Sequence, residues 1–496
     1  MITLITAMAF SLIISSCGTK YDDNVVLLPV ENDPTVSIKI WFKVGSQNDP
    51  QGKEGLANLT AAMISDGATK NNSYEQILEK LFPLAAGYGC NTSVEMTVYS
   101  GRTHIDNMEE YYPLFVDGFL NPAFEETDFN RLKDEALNYL KTNLKYSSDE
   151  ELGKAVLYND IFEGTPYGHI TTGTITGLES ITLDDVKNFY NEYYTSNNYV
   201  LGVGGGYDEK LVDDLIADLN KLPDTNPQRI SKPDYREIDG YEVTIVEKNA
   251  PATAISMGFP INLLRGTKDF YALAIANSWL GEHRNSSSHL YQVIREARGL
   301  NYGDYSYIEN FPQGGRRQMP PTNVARKQQI FEIWIRPVPN ETKHFALRAA
   351  IRELQLLVDE GLTKEEFELT RGFLKKYVLH FAPTTSQRLG YALDDKFYGI
   401  DGTHLQKFRE MMDAVTLEDV NNAIKKYLQY DNMKIAMITN NAEELKEALV
   451  TNAESPIEYS SPKPESVLEE DKEIINYKLP IEENKVKIIP VEDLFK

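Results

Sequence analysis

The chain has 496 residues, a formal net charge of -24, 42% hydrophobic and 25% charged residues. That length is too great for one hydrophobic core and suits two or three domains, and the apolar and charged fractions are those of a folding globular protein rather than a disordered one. The negative charge excludes the phosphates of nucleic acid as a partner and fits a solvated acidic surface or the attraction of basic peptides.

Taken from the amino end, an apolar run from Ile2 to Ile14 leads into Ile14-Ser15-Ser16-Cys17, which resembles a bacterial lipobox. The run is shorter than the ~20 residues needed to cross a bilayer, so residues 1–16 are predicted to be a cleaved signal and Cys17 the lipidated residue. Three acyl chains on one cysteine bury enough methylenes, at about 0.8 kcal/mol each, to hold a protein on a membrane. The expected location is the bacterial cell envelope, facing the periplasm or the cell surface, with residues 17–25 as the tether. The second cysteine, Cys90, then has no intrachain partner, and no disulfide is expected.

Val36 to Val44 alternates apolar with polar side chains and predicts a strand, as does Tyr199 to Val203. Between them, Asp184 to Tyr194 reads as a helix with Val186, Phe189, Tyr190 and Tyr193 on one face and Thr182 as its amino-terminal cap. The glycines of Gly202-Val203-Gly204-Gly205-Gly206 lack the further glycine and following helix of a phosphate loop and are expected to form a flexible strand exit.

A long-range repeat organises these elements. Ile181-Thr182-Leu183-Asp184-Asp185-Val186 returns as Val415-Thr416-Leu417-Glu418-Asp419-Val420, and Leu152-Gly153-Lys154-Ala155 returns as Leu389-Gly390-Tyr391-Ala392. Two homologous α+β domains are predicted, at 26–222 and 241–451, each a β-sheet with helices packed on it. A Pro- and Gly-containing linker at 223–240 separates them, and 452–496 is expected to be an extended tail that packs at its end.

The segment Gly55-Leu56-Ala57-Asn58-Leu59-Thr60-Ala61-Ala62 resembles the zinc helix of the pitrilysin/insulinase family of inverted-zincin metallopeptidases, in its processing-peptidase-like branch. That helix reads Gly-Leu-Ala-His-x-x-Glu-His, two imidazoles one turn apart gripping zinc and a Glu acting as general base. Asn58, Ala61 and Ala62 stand at the three functional positions. Phe42-Lys43-Val44-Gly45-Ser46 is similar to the strand before the zinc helix, and Pro166-Tyr167-Gly168-His169, Gly173-Thr174 and Leu178-Glu179-Ser180-Ile181 are similar to the stretch after it. The family's third ligand is a Glu within Phe-Glu-Arg-Glu-Lys. Here that stretch reads Phe129-Asn130-Arg131-Leu132-Lys133, which puts Asn130 at the carboxylate position.

The resemblance implies one half of a clamshell chamber that admits unfolded peptides. In the second repeat Arg295 and Tyr302 have the seven-residue spacing of the family's Arg and Tyr, which reach a zinc-bound peptide across the chamber. A guanidinium fork can hold a peptide carbonyl and a phenol can donate to the developing oxyanion, neither needing a metal of its own. Arg298 competes for the role. Zinc needs about three protein ligands and an open position, and the seven histidines include no pair at i, i+4 spacing. No cofactor is therefore expected in this chain.

The leading expectation is a metal-free subunit that lends Arg295 and Tyr302 to a zinc-bearing homologous partner. The alternative is a catalytically silent peptide-binding or scaffold protein of the same fold, with the basic segment Gly314-Gly315-Arg316-Arg317-Gln318 as an exposed loop. A third reading, a peptidase with rearranged ligands, would require zinc on this chain.

Overall fold

A computed structural model of the chain describes residues 20–496; the segment expected to be a signal, 1–16, and Cys17 lie outside the described residues. Among the described residues eleven strands form two sheets. The first contains β1 (Val25–Pro29), β2 (Thr35–Phe42), β3 (Gly87–Thr92), β4 (Thr97–His104) and β5 (Tyr199–Gly205), in the order β1-β5-β2-β4-β3. The second contains β6 (Tyr241–Glu247), β7 (Ala252–Ile261), β8 (Asp304–Tyr307), β9 (Gln329–Pro339), β10 (Met433–Thr439) and β11 (Val486–Pro490), in the order β11-β6-β10-β7-β9-β8.

Setting β11 aside, the sheets share one plan. β1 runs parallel to β5 as β6 does to β10, and the remaining neighbours are antiparallel in both. Sequence repetition and topology agree down to the caps. Thr182 accepts from the Asp185 amide while Asp185 accepts in return, and Thr416 and Asp419 do the same at the start of Leu417–Tyr427. Each reciprocal cap satisfies two amides that a helix terminus would otherwise leave open, a device generally worth about 1 kcal/mol.

The two repeats are bound by an exchange of helices. Asp149–Phe162, from the first repeat, packs on β7, β9 and β10, whereas Thr385–Tyr398, from the second, packs on β1, β2 and β5. These are the helices that carry the echoed Leu-Gly-x-Ala sequences. Their glycines mark close approach: a Cβ on Gly153 would lie 3.0 Å from the Ser256 hydroxyl, and one on Gly390 would lie 2.4 Å from that of Thr322.

The Gly202–Gly206 run is not a flexible exit. β5 is an internal strand, buried along its whole length, and its bare backbone admits the second repeat's helix. A Cβ on Gly202 would lie 3.2 Å from Leu389, and one on Gly204 3.2 Å from Thr385.

Residues 223–239 carry no regular secondary structure. The tail beyond 452 is also not simply extended: it holds a helix, Glu465–Ile475, and adds β11 to the second sheet alongside β6. Charge holds that helix down, because Arg298 pairs with Glu470 and Asp471 while Arg352 pairs with Glu470 and Glu473. Among the described residues no helix is long and apolar enough to cross a membrane.

Candidate functional site

The helix Leu56–Ser65 is well framed despite its missing chemistry. Gly55 begins it at φ 110°, a conformation that favours glycine. The buried Asp49 carboxylate accepts from the Gly55 and Ala57 amides, each at 2.7 Å, and so occupies the positive end of the helix. Burial pushes the Asp49 carboxyl up to about 8, against those two donors, which favour its charged form. His169 leans on the same carboxylate at 3.8 Å, its other ring nitrogen 3.0 Å from the Ile170 carbonyl.

Asn58 and Ala62 lie one turn apart on the partly open face of this helix, while Ala61 is only 2% exposed. The spacing expected of two zinc ligands is thus kept and the ligands are absent. Asn130 does not complete the set. It lies on the exposed side of Glu126–Asn138, whose Phe129 and Leu132 turn inward. Tyr139, nine residues further on in the π-helical turn Tyr139–Leu144, lines the same cavity as Asn58. Nine residues make two and a half helical turns, so Tyr139 lies on the face opposite Asn130, the face turned to the cavity.

No group of three or more His, Cys, Asp or Glu side chains among the described residues is arranged to hold a metal ion. Three of the histidines are engaged elsewhere. His283 is buried between the Tyr307 hydroxyl at 2.6 Å and the Arg317 carbonyl at 2.9 Å, and its pKa falls to about 4 because burial disfavours the charged ring. His289 pairs with Glu353 at 2.6 Å and stacks on Trp279, and His404 lies in an aromatic cluster with Tyr271 and Phe408. The donor set around Asn58 therefore does not fit zinc.

Arg295 and Tyr302 come together on the second repeat. Arg295 sits in a π-helical turn, Tyr291–Glu296, with its guanidinium carbon 5.6 Å from the centre of the Tyr302 ring. Its nearest carboxylate, that of Glu296, is 3.8 Å away, and its Nε has no hydrogen-bond partner. Tyr302 is 78% exposed. Arg298, the competing residue, is fully buried: it donates to Asp471 and Glu470 at 2.8 and 2.7 Å and to the Val293 carbonyl at 2.8 Å, and so anchors the turn instead of facing solvent. Neither Arg295 nor Tyr302 lines the Asn58 cavity.

That cavity, of about 320 Å³, lies between the repeats. Its walls come from the degenerate helix, the β3–β4 turn, Asp149–Phe162, β9 and the segment 310–326. The basic segment expected as an exposed loop forms part of this wall. Gly314 lies against the Trp334 ring, and the Gly315 amide donates to Glu151 at 3.1 Å. Composition alone gave no sign of this, because the residues that meet here are up to 276 positions apart, as Asn58 and Trp334 are.

Two homologous sheets exchanging helices, with a cleft beside a GLA-type helix, define the half-shell of an inverted-zincin metallopeptidase fold. The sequence matches the insulinase (peptidase family M16) profile over residues 24–175 and the profile of the peptidase M16 inactive domain over 180–373. The chain belongs to the insulinase family. It is 23% identical to a Bacillus subtilis protein described as an uncharacterized zinc protease, over 84% of this chain and 96% of that one. It is 22% identical to a Helicobacter pylori protein described as a non-peptidase homolog, over 85% and 91% of the two chains. The crystal structure of a peptidase M16 inactive domain from Pseudomonas fluorescens superposes with a TM-score of 0.72 at 23% identity, covering 84% of this chain and 95% of that one.

Proposed function

We propose that this chain is the metal-free subunit of a two-chain zinc metallopeptidase that degrades or processes peptides, supplying Arg295 and Tyr302 to a homologous partner that carries the zinc. The observation that carries this reading is the contrast between the ligand-free face of Leu56–Ser65 and a Tyr302 that is 78% exposed beside an arginine whose one carboxylate contact, Glu296, is 3.8 Å away. An exposed phenol and a guanidinium with free donors are suited to a site completed by another polypeptide. Alone, the chain hydrolyses nothing; zinc and the activated water belong to the partner.

The test is peptide cleavage by this protein mixed with a zinc-bearing homologue from the same cell. Arg295→Ala and Tyr302→Phe each lower kcat/KM of the mixture by about a hundredfold or more, the usual loss when one donor to an oxyanion is removed. Unchanged rates would refute the assigned roles.

A second reading, a silent peptide-binding protein, draws on the cavity beside Asn58, on β3 being a sheet edge, and on the naming of the Helicobacter pylori relative as a non-peptidase. It predicts a homodimer that binds peptides and no zinc-bearing companion. In either case Cys17 anchors the protein to the cell envelope, so that Cys17→Ser releases it into the soluble fraction. Retention of the variant on membranes would remove the lipid from this picture.

A further inference from the structure

The cavity beneath the degenerate helix contains groups that neither the fold nor the Arg295–Tyr302 pair uses. Arg326 is 1% exposed; its Nε donates to Gln329 at 3.1 Å, yet its Nη2 has no partner. The Nε of Arg317 and the hydroxyl of Tyr158, both in the wall, are also unpartnered. Burying a donor without an acceptor is costly, the more so for a charged one, and two guanidinium donors and a phenol left open around one cavity are uncommon in a protein interior.

The acidic groups nearby offset their charge in part but leave them without hydrogen bonds: burial raises the Glu332 carboxyl and the Arg326 guanidinium opposes that rise, with no hydrogen bond between the two. Glu151 is taken by Lys154 at 2.9 Å and by the Gly315 amide, and Glu332 accepts from the Trp334 indole at 2.8 Å. Lys154 is itself neutralised by Glu150 and Glu151 and lies 3.5 Å over the Trp334 ring. What remains for an occupant is donor capacity from two guanidiniums and a phenol, in a space of about 320 Å³, the size of small-ligand sites generally.

The mouth of the cavity carries a second feature. Cys90, Asn91 and Thr92 of β3 line it, and β3 is the outermost strand of the first sheet, with its far edge joined to no strand. An extended peptide can add to such an edge through its main chain.

We infer that this cavity is a carboxylate-binding site, in which Arg326, Arg317 and Tyr158 receive a carboxylate of a short peptide docked along β3. A planar guanidinium matches a carboxylate through two parallel N–H donors, and in a site shielded from water that pairing is strong. The site rests on the peptide-binding part of the function proposed above but not on catalysis, and it operates in this chain alone.

The experiment is titration calorimetry of the isolated protein with a synthetic tetrapeptide bearing a free carboxyl terminus, with its carboxyl-terminal amide, and with that amide carrying one Asp. The expected result is that the neutral amide binds at least about tenfold more weakly than the better of the two carboxylates, a carboxylate-guanidinium pair being worth more than that difference. Preference for the free acid identifies the terminus, and preference for the Asp peptide identifies a side chain. Equal binding of all three, or binding of none, overturns the inference.

Arg326→Gln removes the central donor, and because that side chain is fully buried, Tyr158→Phe and Arg317→Gln provide variants that leave the core intact. Each is expected to reduce the preference for carboxylate over amide severalfold without altering the unfolding temperature. A preference unchanged in both overturns the inference even if peptides bind. Loss of cleavage in the mixed assay with intact carboxylate preference here would sink the two-chain peptidase alone.

Discussion

The degenerate helix and the Arg295–Tyr302 segment are opposites in what they have kept. Leu56–Ser65 retains its frame, with a buried carboxylate at its amino end, a positive-φ glycine before it and apolar neighbours along it, while its chemistry is gone. The segment 291–302 retains its chemistry on a one-turn π-helix that would not hold its shape unaided, and it is fixed from outside by Asp471 and Glu470, which its own Arg298 grips. A metal site demands several ligands at once and fails when they are lost, whereas donors to an oxyanion act one by one and need only be presented.

The largest expected effect tests the vacated side. The variant carrying Asn58→His, Ala62→His and Tyr139→Glu should regain about one zinc per chain, removable by chelation, since three protein ligands suffice for a catalytic-type site. Metal analysis of that variant beside one with Asn130→Glu in place of Tyr139→Glu decides which position faces the helix; zinc retained by the Asn130 version alone would contradict the geometry above.

Next comes the strap on the retained side. Asp471→Ala leaves Arg298 buried with one of its two carboxylate partners and should cost about 3–5 kcal/mol in urea unfolding, as breaking a buried pair does. A loss below 1 kcal/mol, by this measure of a buried pair, would mean the tail helix does not hold the turn.

The joint between the repeats should respond to bulk. Gly202→Val places methyl groups where a Cβ alone would already be 3.2 Å from Leu389, and overpacking of this kind costs about 1–3 kcal/mol. A Gly202→Val protein as stable as the parent would show that the second repeat's helix can give way.

A pH dependence distinguishes the frame from its surroundings. Asp49 is held at about 8 against a usual 3.8, so its folded form keeps the proton longer than the unfolded chain does. Stability from this group is complete below about pH 4 and falls as pH rises towards 8. His283, lowered to about 4, has the opposite sign: its contribution is present above the unfolded value near 6.5 and falls with acidification towards 4. Asp49→Asn should flatten the alkaline side of the stability profile and His283→Gln the acid side, as read from unfolding temperatures across pH 4–8. The smallest effect is Tyr302→Phe on folding itself, within about 0.5 kcal/mol for so exposed a hydroxyl.

Much of the architecture was legible in the chain. The echo of Ile181–Val186 in Val415–Val420 is mirrored by two sheets with one strand order, and the helix carrying Asn58 and Ala62 starts at the Gly-Leu-Ala signature. Other readings failed for a common reason. The Gly202–Gly206 run looked mobile because a strand without side chains has no periodicity, yet its bareness serves a helix more than 180 residues away, Thr385–Tyr398. Asn130 was placed by a short motif; it faces solvent, and Tyr139, two and a half turns on, lines the cavity. The tail read as extended because the isolated Glu465–Ile475 segment shows few apolar residues, its partners being Arg298 and Arg352 from elsewhere.

The sequence by itself determined the repeat, the α+β class, the family and the loss of the zinc ligands, because each is written in local order and residue identity. The tertiary structure alone decided the exchange of helices between sheets, the seating of Tyr139 beside Asn58 and the gathering of Arg317, Arg326 and Tyr158 around one cavity. Those depend on contacts between residues far apart in the chain, and a chain's order carries no distance until its buried surfaces have chosen one another.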